Sequence, residues 1–154
     1  MLTEQAPAPL FSLPADDGST VSLDALRGTP VVLYFYPKDD TPGCTTEACE
    51  FRDAFPRFSE IGVRVLGVSP DPVASHAAFK AKFDLPFTLL SDVDHATALD
   101  YGVWKEKNMY GKKMMGVERT TVLIDREGRV AKIFPRVKPT GHAAEVEMAM
   151  LELL

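Results

Sequence analysis

The run VVLYFYP, residues 31–37, constrains this chain more than any other feature. Its β-branched and aromatic residues follow one another without a polar interruption, and a proline ends the run. That pattern predicts a strand buried on both faces, and so one at the centre of a sheet. A second run of the same kind, VRVLGVSP (63–70), predicts a second buried strand, and FTLLSD (87–92) a short third one. Between them lie helical patterns. After Gly43, Thr45, Thr46 and Glu47 suit a first turn, and Phe51, Phe55 and Phe58 recur at helical spacing toward a core. Pro56 falls inside that pattern, where it should kink the helix or end it early. DPVASHAAFKAKF (71–83) reads as a helix capped by Asp71 with proline at its first position.

The remaining segments complete the layout. LFSLPADDGSTVSL alternates around Asp16-Asp17-Gly18 and predicts an N-terminal hairpin. HATALDYG reads as a short helix ended by Gly102. TTVLID and RVAKIF, joined through Arg126-Glu127-Gly128, read as a second hairpin, and HAAEVEMAMLELL as a closing amphipathic helix packed through Met148, Met150 and Leu153. The expected fold is α/β: a mixed central sheet flanked by helices, compatible with the thioredoxin-like arrangement, with an N-terminal β-hairpin extension. At 154 residues, with no repeat or linker, one domain over 1–154 is expected.

Charge and hydropathy exclude several functions. With 22 acidic against 17 basic residues, the net charge of -5 lacks the basic footprint of a nucleic-acid binder. The N-terminus has neither a basic flank nor a long apolar run, and no stretch approaches the ~18 apolar residues of a membrane span. A cytoplasmic location is the expectation, and thiols there are kept reduced.

Both cysteines, Cys44 and Cys49, lie in YPKDDTPGCTTEAC. On one regular helix, five residues separate their Cα atoms by roughly 8.5 Å. A disulfide needs about 7 Å or less, so the two cannot bond unless a turn unwinds. Cys44 has the features of the reactive member. It sits at an expected helix N-terminus, where free amides and the macrodipole favour an anion. The preceding Thr-Pro-Gly opens the backbone, and Thr41 can point its hydroxyl into the same pocket. A thiolate placed there is a nucleophile. Competing readings exist. Either cysteine, and Cys49 above all, can be a small buried apolar residue. A zinc site would need two more ligands, and His76, His95 and His142 show no metal-type spacing; they read as solvent-facing or capping residues. The spacing is not Cys-x-x-Cys either, which disfavours an ordinary dithiol oxidoreductase.

FYPKDDTPGCTTEACEFRD resembles the active-site segment of the peroxiredoxins, and more narrowly of the peroxiredoxin Q or bacterioferritin comigratory protein subfamily. The family pattern Pro-x-x-x-Thr-x-x-Cys is met by Pro37, Thr41 and Cys44. APAPLFSLPADDGSTVSLDALRGTPVVLYFYP and YGVWKEKNMYGKKMMGVERTTVLIDREGRV extend the likeness over nearly the whole chain, the latter leading to a functional arginine, here Arg119. The resemblance implies that Cys44 attacks a peroxide and becomes a sulfenic acid. Thr41 would hold the peroxide, Pro37 would shield the pocket, and Arg119 would stabilise the thiolate and the developing charge. Cys49 would then form an intramolecular disulfide with Cys44, reduced in turn by thioredoxin or a similar dithiol protein. No metal or organic cofactor is implied, and a monomer is expected. Donors from Thr41, the Cys44 amide and Arg119 would act as an oxyanion hole does, one such donor being worth ~3 kcal/mol. Against these roles, Arg119 could pair only with Glu118 or Glu127, Thr41 could be a turn residue, and Glu47 a favourable first-turn acid outside the catalytic set. Phe35, Tyr101 and Trp104 are expected near the site, as core residues more than substrate contacts. A redox switch or holdase would also form the disulfide, but without catalytic peroxide loss. Disulfide transfer between proteins is disfavoured by the spacing.

Overall fold

The computed structural model describes residues 2–154. The apolar run becomes β3 (Val31–Phe35), every residue of it buried. It pairs in parallel with β4 (Arg64–Ser69) and antiparallel with β8 (Thr120–Ile124). The sheet continues outward to β5 (Thr88–Ser91) on one side and β9 (Val130–Phe134) on the other, in the order β5-β4-β3-β8-β9. The run 31–37 therefore lies at the centre, as its composition requires. β1 (Ser12–Pro14) and β2 (Thr20–Ser22) form the N-terminal hairpin, and Tyr34 and Phe35 show the period-2 split of side chains that divides the core into two layers.

One layer holds Val32, Tyr34 and Tyr36 against α1 (Pro42–Glu60), α2 (Val73–Phe83) and α4 (His142–Leu153). The other holds Val31, Leu33 and Phe35 against the N-terminal segment and α3 (Ala96–Asp100). The result is the mixed, thioredoxin-like sheet with helices on both faces. Gly67 is required where it stands: a Cβ there would lie 2.9 Å from the Tyr34 ring and from Leu89, its partners on the neighbouring strands. Only a glycine lets Tyr34 lie flat and stack on Phe51 of α1, ring centroids 4.7 Å apart.

Several local expectations are corrected. α1 starts at Pro42, not after Gly43, and runs unbroken through Pro56 to Glu60. Pro56 is exposed, so the carbonyl of Arg52 that loses its helical partner lies on a side water can reach. Pro72, not Asp71, precedes α2; Asp71 instead accepts hydrogen bonds from Ser69 Oγ (2.6 Å) and the Asp39 amide (2.8 Å). His76 and His142 are buried rather than solvent-facing, with hydrogen bonds at their ring nitrogens. Of the α4 residues expected in the core, Met150 is buried while Met148 and Leu153 are exposed. A hairpin of β6 (Trp104–Met109) and β7 (Lys112–Val117) was not expected. Its turn uses Tyr110 and Gly111, both with positive φ, and a tyrosine there lacks the Asn-Gly signal that marks such turns.

Candidate active site

The sheet brings the site together. Phe35 at the end of β3 pairs with Thr120 at the start of β8. The residue before Thr120, Arg119, therefore arrives at the same sheet end as the turn that follows β3. That turn passes Pro37, half-buried, and Asp40, whose φ of 56° an aspartate tolerates, and enters α1. Thr41 is the extended N-cap residue (φ -99°, ψ 156°), and Pro42 at the first helical position has no amide to leave unpaired. The first helical hydrogen bond runs from the Thr45 amide to the Thr41 carbonyl (2.8 Å), so the amides of Gly43 and Cys44 stand ahead of the ladder. Thr41 Oγ1 donates to the Lys38 carbonyl (2.8 Å). Its one proton is thereby committed, and the oxygen faces other groups as an acceptor, which corrects the expectation of a donor.

Cys44 is buried, and Arg119 Nη2 donates to its Sγ at 3.4 Å. Arg119 Nη1 donates to Glu47 Oε1 at 2.7 Å. Cys44 and Glu47 lie three apart on one helical face, so a single planar guanidinium spans both. Arg119 thus pairs with neither Glu118 nor Glu127; Glu118 is bonded to Lys105. Gly43 makes room for it, since a Cβ there would sit 3.1 Å from Nη2. Burial pushes the Glu47 carboxyl up to about 7, against the opposing pull of Arg119. Burial alone would lower Arg119, but Glu47 and Cys44 outweigh it and hold the guanidinium above its ordinary range. Lys107 of β6 faces the same region: burial and the nearby Arg119 lower its ammonium, and its stem lies over Gly116.

Cys49 is half-buried on the same unbroken helix, and both thiols are free. Its neighbour Arg52 donates to the carbonyl of Phe83 at the end of α2 (2.9 Å). Tyr34, Tyr36 and Phe51 share the layer of the core that holds Cys44. Phe35, Tyr101 and Trp104 belong to the layer on the other side of the sheet, because residue 35 alternates away from 34 and 36. Trp104 stacks on His95 there, centroids 3.9 Å apart. Glu47 and Lys107 are the neighbours that sequence reasoning left out. The first carried a signal, its place three residues after Cys44; the second had none without the β6–β7 pairing.

A cysteine opening a helix on a thioredoxin-like sheet, met by an arginine from across the sheet, defines a thiol-based oxidoreductase. A family model described as the AhpC/TSA family matches residues 5–133. Peroxiredoxin Bcp of Bacillus subtilis (strain 168) is 49% identical over 146 residues, covering 95% of this chain and 93% of that protein. A trapped intermediate/ligand complex of Xanthomonas campestris bacterioferritin comigratory protein, studied for its alkyl peroxide reduction activity, is 42% identical with a TM-score of 0.91, covering 97% of this chain and 98% of that one. A cysteine-to-serine mutant of Xylella fastidiosa PrxQ is 36% identical with a TM-score of 0.94, covering 99% and 97%. The chain belongs to the AhpC/TSA family, among its peroxiredoxins of the Q or Bcp kind. It is a thiol-dependent peroxidase. No helix among the described residues is long and apolar enough to cross a membrane.

Proposed function

We propose that Cys44 is the attacking thiol of this peroxidase and Cys49 its resolving partner. The observation that carries the assignment is the Arg119 guanidinium, 3.4 Å from Cys44 Sγ and fixed by Glu47 at 2.7 Å. The Cys44 sulfur anion attacks the hydroxyl oxygen of the peroxide; the S–O bond forms as the O–O bond breaks, that oxygen keeps its hydrogen in the sulfenic acid, and the other oxygen leaves as water or alcohol with a proton taken from solvent. Arg119 and the Cys44 amide donate to the oxygens as charge develops. Thr41 Oγ1 accepts a hydrogen bond from the peroxide O–H, and Pro37 keeps water from the pocket. Cys49 then displaces water from the sulfenic acid to form the Cys44–Cys49 disulfide. Because α1 is continuous across both residues, that step follows local unwinding.

Hydrogen peroxide and small organic hydroperoxides are the substrates, a reading supported by the alkyl peroxide work on the Xanthomonas campestris relative. A thioredoxin or similar dithiol protein reduces the disulfide, in the cytoplasm and on a monomer. A peroxide pulse followed by intact mass tests the assignment. Wild type should lose two hydrogens, Cys49→Ser should accumulate a sulfenic or over-oxidised Cys44, and Cys44→Ser should not consume peroxide. A Cys44→Ser variant as active as wild type would sink the assignment.

A further inference from the structure

Beneath the turn between β3 and α1 lies a buried polar cluster that the peroxide chemistry does not use. Asp39 stands between Pro37 and Thr41, and its carboxylate accepts from Tyr36 Oη (2.6 Å), Ser75 Oγ (2.7 Å) and His76 Nδ1 (2.7 Å). Its amide donates to Asp71 Oδ2 (2.8 Å). His76 is fully buried, and its Nε2 lies 2.9 Å from the Leu90 carbonyl on β5. The cluster thus connects the turn to α2, to the segment after β4, and to β5. None of these anchors lies in α1.

The side chains of Asp39, Asp71 and His76 bring metal-ligating atoms within 4.8 Å of one another. Both oxygens of Asp39 and both nitrogens of His76 are already taken by protein groups, so the cluster is closed rather than open to an ion. Its chemistry is that of a clasp. A buried network satisfied in this way specifies one arrangement of the backbone that carries it. The arrangement here is the turn that presents Pro37 and Thr41. Hydrogen bonds from His76, Tyr36 and Ser75 overcome the effect of burial and hold the Asp39 carboxyl below its ordinary range.

We propose that Asp39 and His76 are positioning residues for peroxide capture: they fasten the turn bearing Pro37 and Thr41 to elements outside α1, so that it keeps its shape while the start of α1 unwinds and rewinds. The proposal rests on the assignment of Cys44 as attacking thiol and Thr41 as peroxide contact. It separates two steps that a single destabilised fold would not separate. Capture depends on the clasp; disulfide formation depends on α1.

Rapid mixing with hydrogen peroxide, acid quench, thiol alkylation and mass analysis reads both rates. Loss of the Cys44 thiol depends on peroxide concentration, and disulfide formation does not. His76→Gln and Asp39→Asn should slow capture by about tenfold or more, since misplacing a contact by a fraction of an ångström suffices for that. Ser75→Ala, which removes one hydrogen bond and keeps the rest, should slow it about threefold. Disulfide formation should stay within about twofold of wild type in all three, and the double variant should lose no more than the worse single one. Capture unchanged in the folded variants, or both steps falling by one common factor, would overturn the proposal. If the His76 and Asp39 variants do not fold, Ser75→Ala decides alone by the same criteria. A wild-type Cys44 that ignores peroxide overturns the peroxidase assignment, and the proposal with it.

Discussion

Glu47 is an acid buried against a cation, and the two influences on it oppose each other. Burial prevails and raises the carboxyl from 4.5 to about 7. The folded chain therefore holds a proton that the unfolded chain gives up. Stability from this group is fully present below 4.5 and is lost as pH rises through about 7, a change of about 3 kcal/mol. Glu47→Gln cannot titrate, so urea unfolding from pH 4.5 to 8 should show wild type losing stability relative to the variant across that window. Parallel curves would remove the effect from Glu47. Arg119 makes a second residue-scale prediction. Its fork reaches Cys44 with one nitrogen and Glu47 with the other. A lysine offers one point charge and cannot hold both. Arg119→Lys should slow Cys44 oxidation about 100-fold, the loss of one well-aimed donor, with the melting temperature little changed. Stopped-flow measurement at several peroxide concentrations checks it.

At the scale of the element, α1 decides how the two sulfurs meet. It holds them on nineteen residues of continuous helix, with Pro56 inside. The proline leaves the Arg52 carbonyl without its helical partner, three residues beyond Cys49, where the ladder must loosen. Pro56→Ala supplies the missing bond and should slow disulfide formation several-fold while leaving peroxide capture alone. An equal rate in both proteins would show that unwinding stops short of that turn. The elements also show what the sequence could convey. β3 and β4 were readable because their residues are buried on both faces, and α1 because Phe51 and Phe58 recur at helical spacing. The β6–β7 hairpin was not readable: the stretches KEKN (105–108) and KKMMG (112–116) in its strands are largely exposed and carry no apolar alternation, and Tyr110 occupies a turn position that favours asparagine or glycine. The unbroken course of α1 through Pro56 was hidden for a different reason, since tertiary packing of Phe51, Ala54 and Phe58 outweighs one missing bond.

Across the whole molecule, the site is a product of strand register. Cys44, Thr41 and Pro37 are close in sequence and were legible together as a motif. Arg119 lies 75 residues from Cys44 and was assigned by resemblance, because nothing local in its own segment says what it faces. Only the pairing of Phe35 with Thr120 delivers it. The clasp of Asp39 and His76 was hidden in the same way: the contact spans 37 residues and joins a turn to a helix that the sequence describes separately. His76 read as a surface residue because one histidine on a helix carries no sign of the carboxylate that will enclose it.

The single unbroken helix under Cys44 and Cys49 has one more effect, on how the surroundings act on turnover. If each catalytic cycle includes a small folding reaction, then solvents that act on folding also set the pace. Dilute urea, far below the concentration that denatures the chain, should quicken sulfur–sulfur bond formation, and sucrose should retard it, with capture of peroxide indifferent to both. Rewinding a helix of this length takes on the order of a microsecond, so the return stroke is never the slow one.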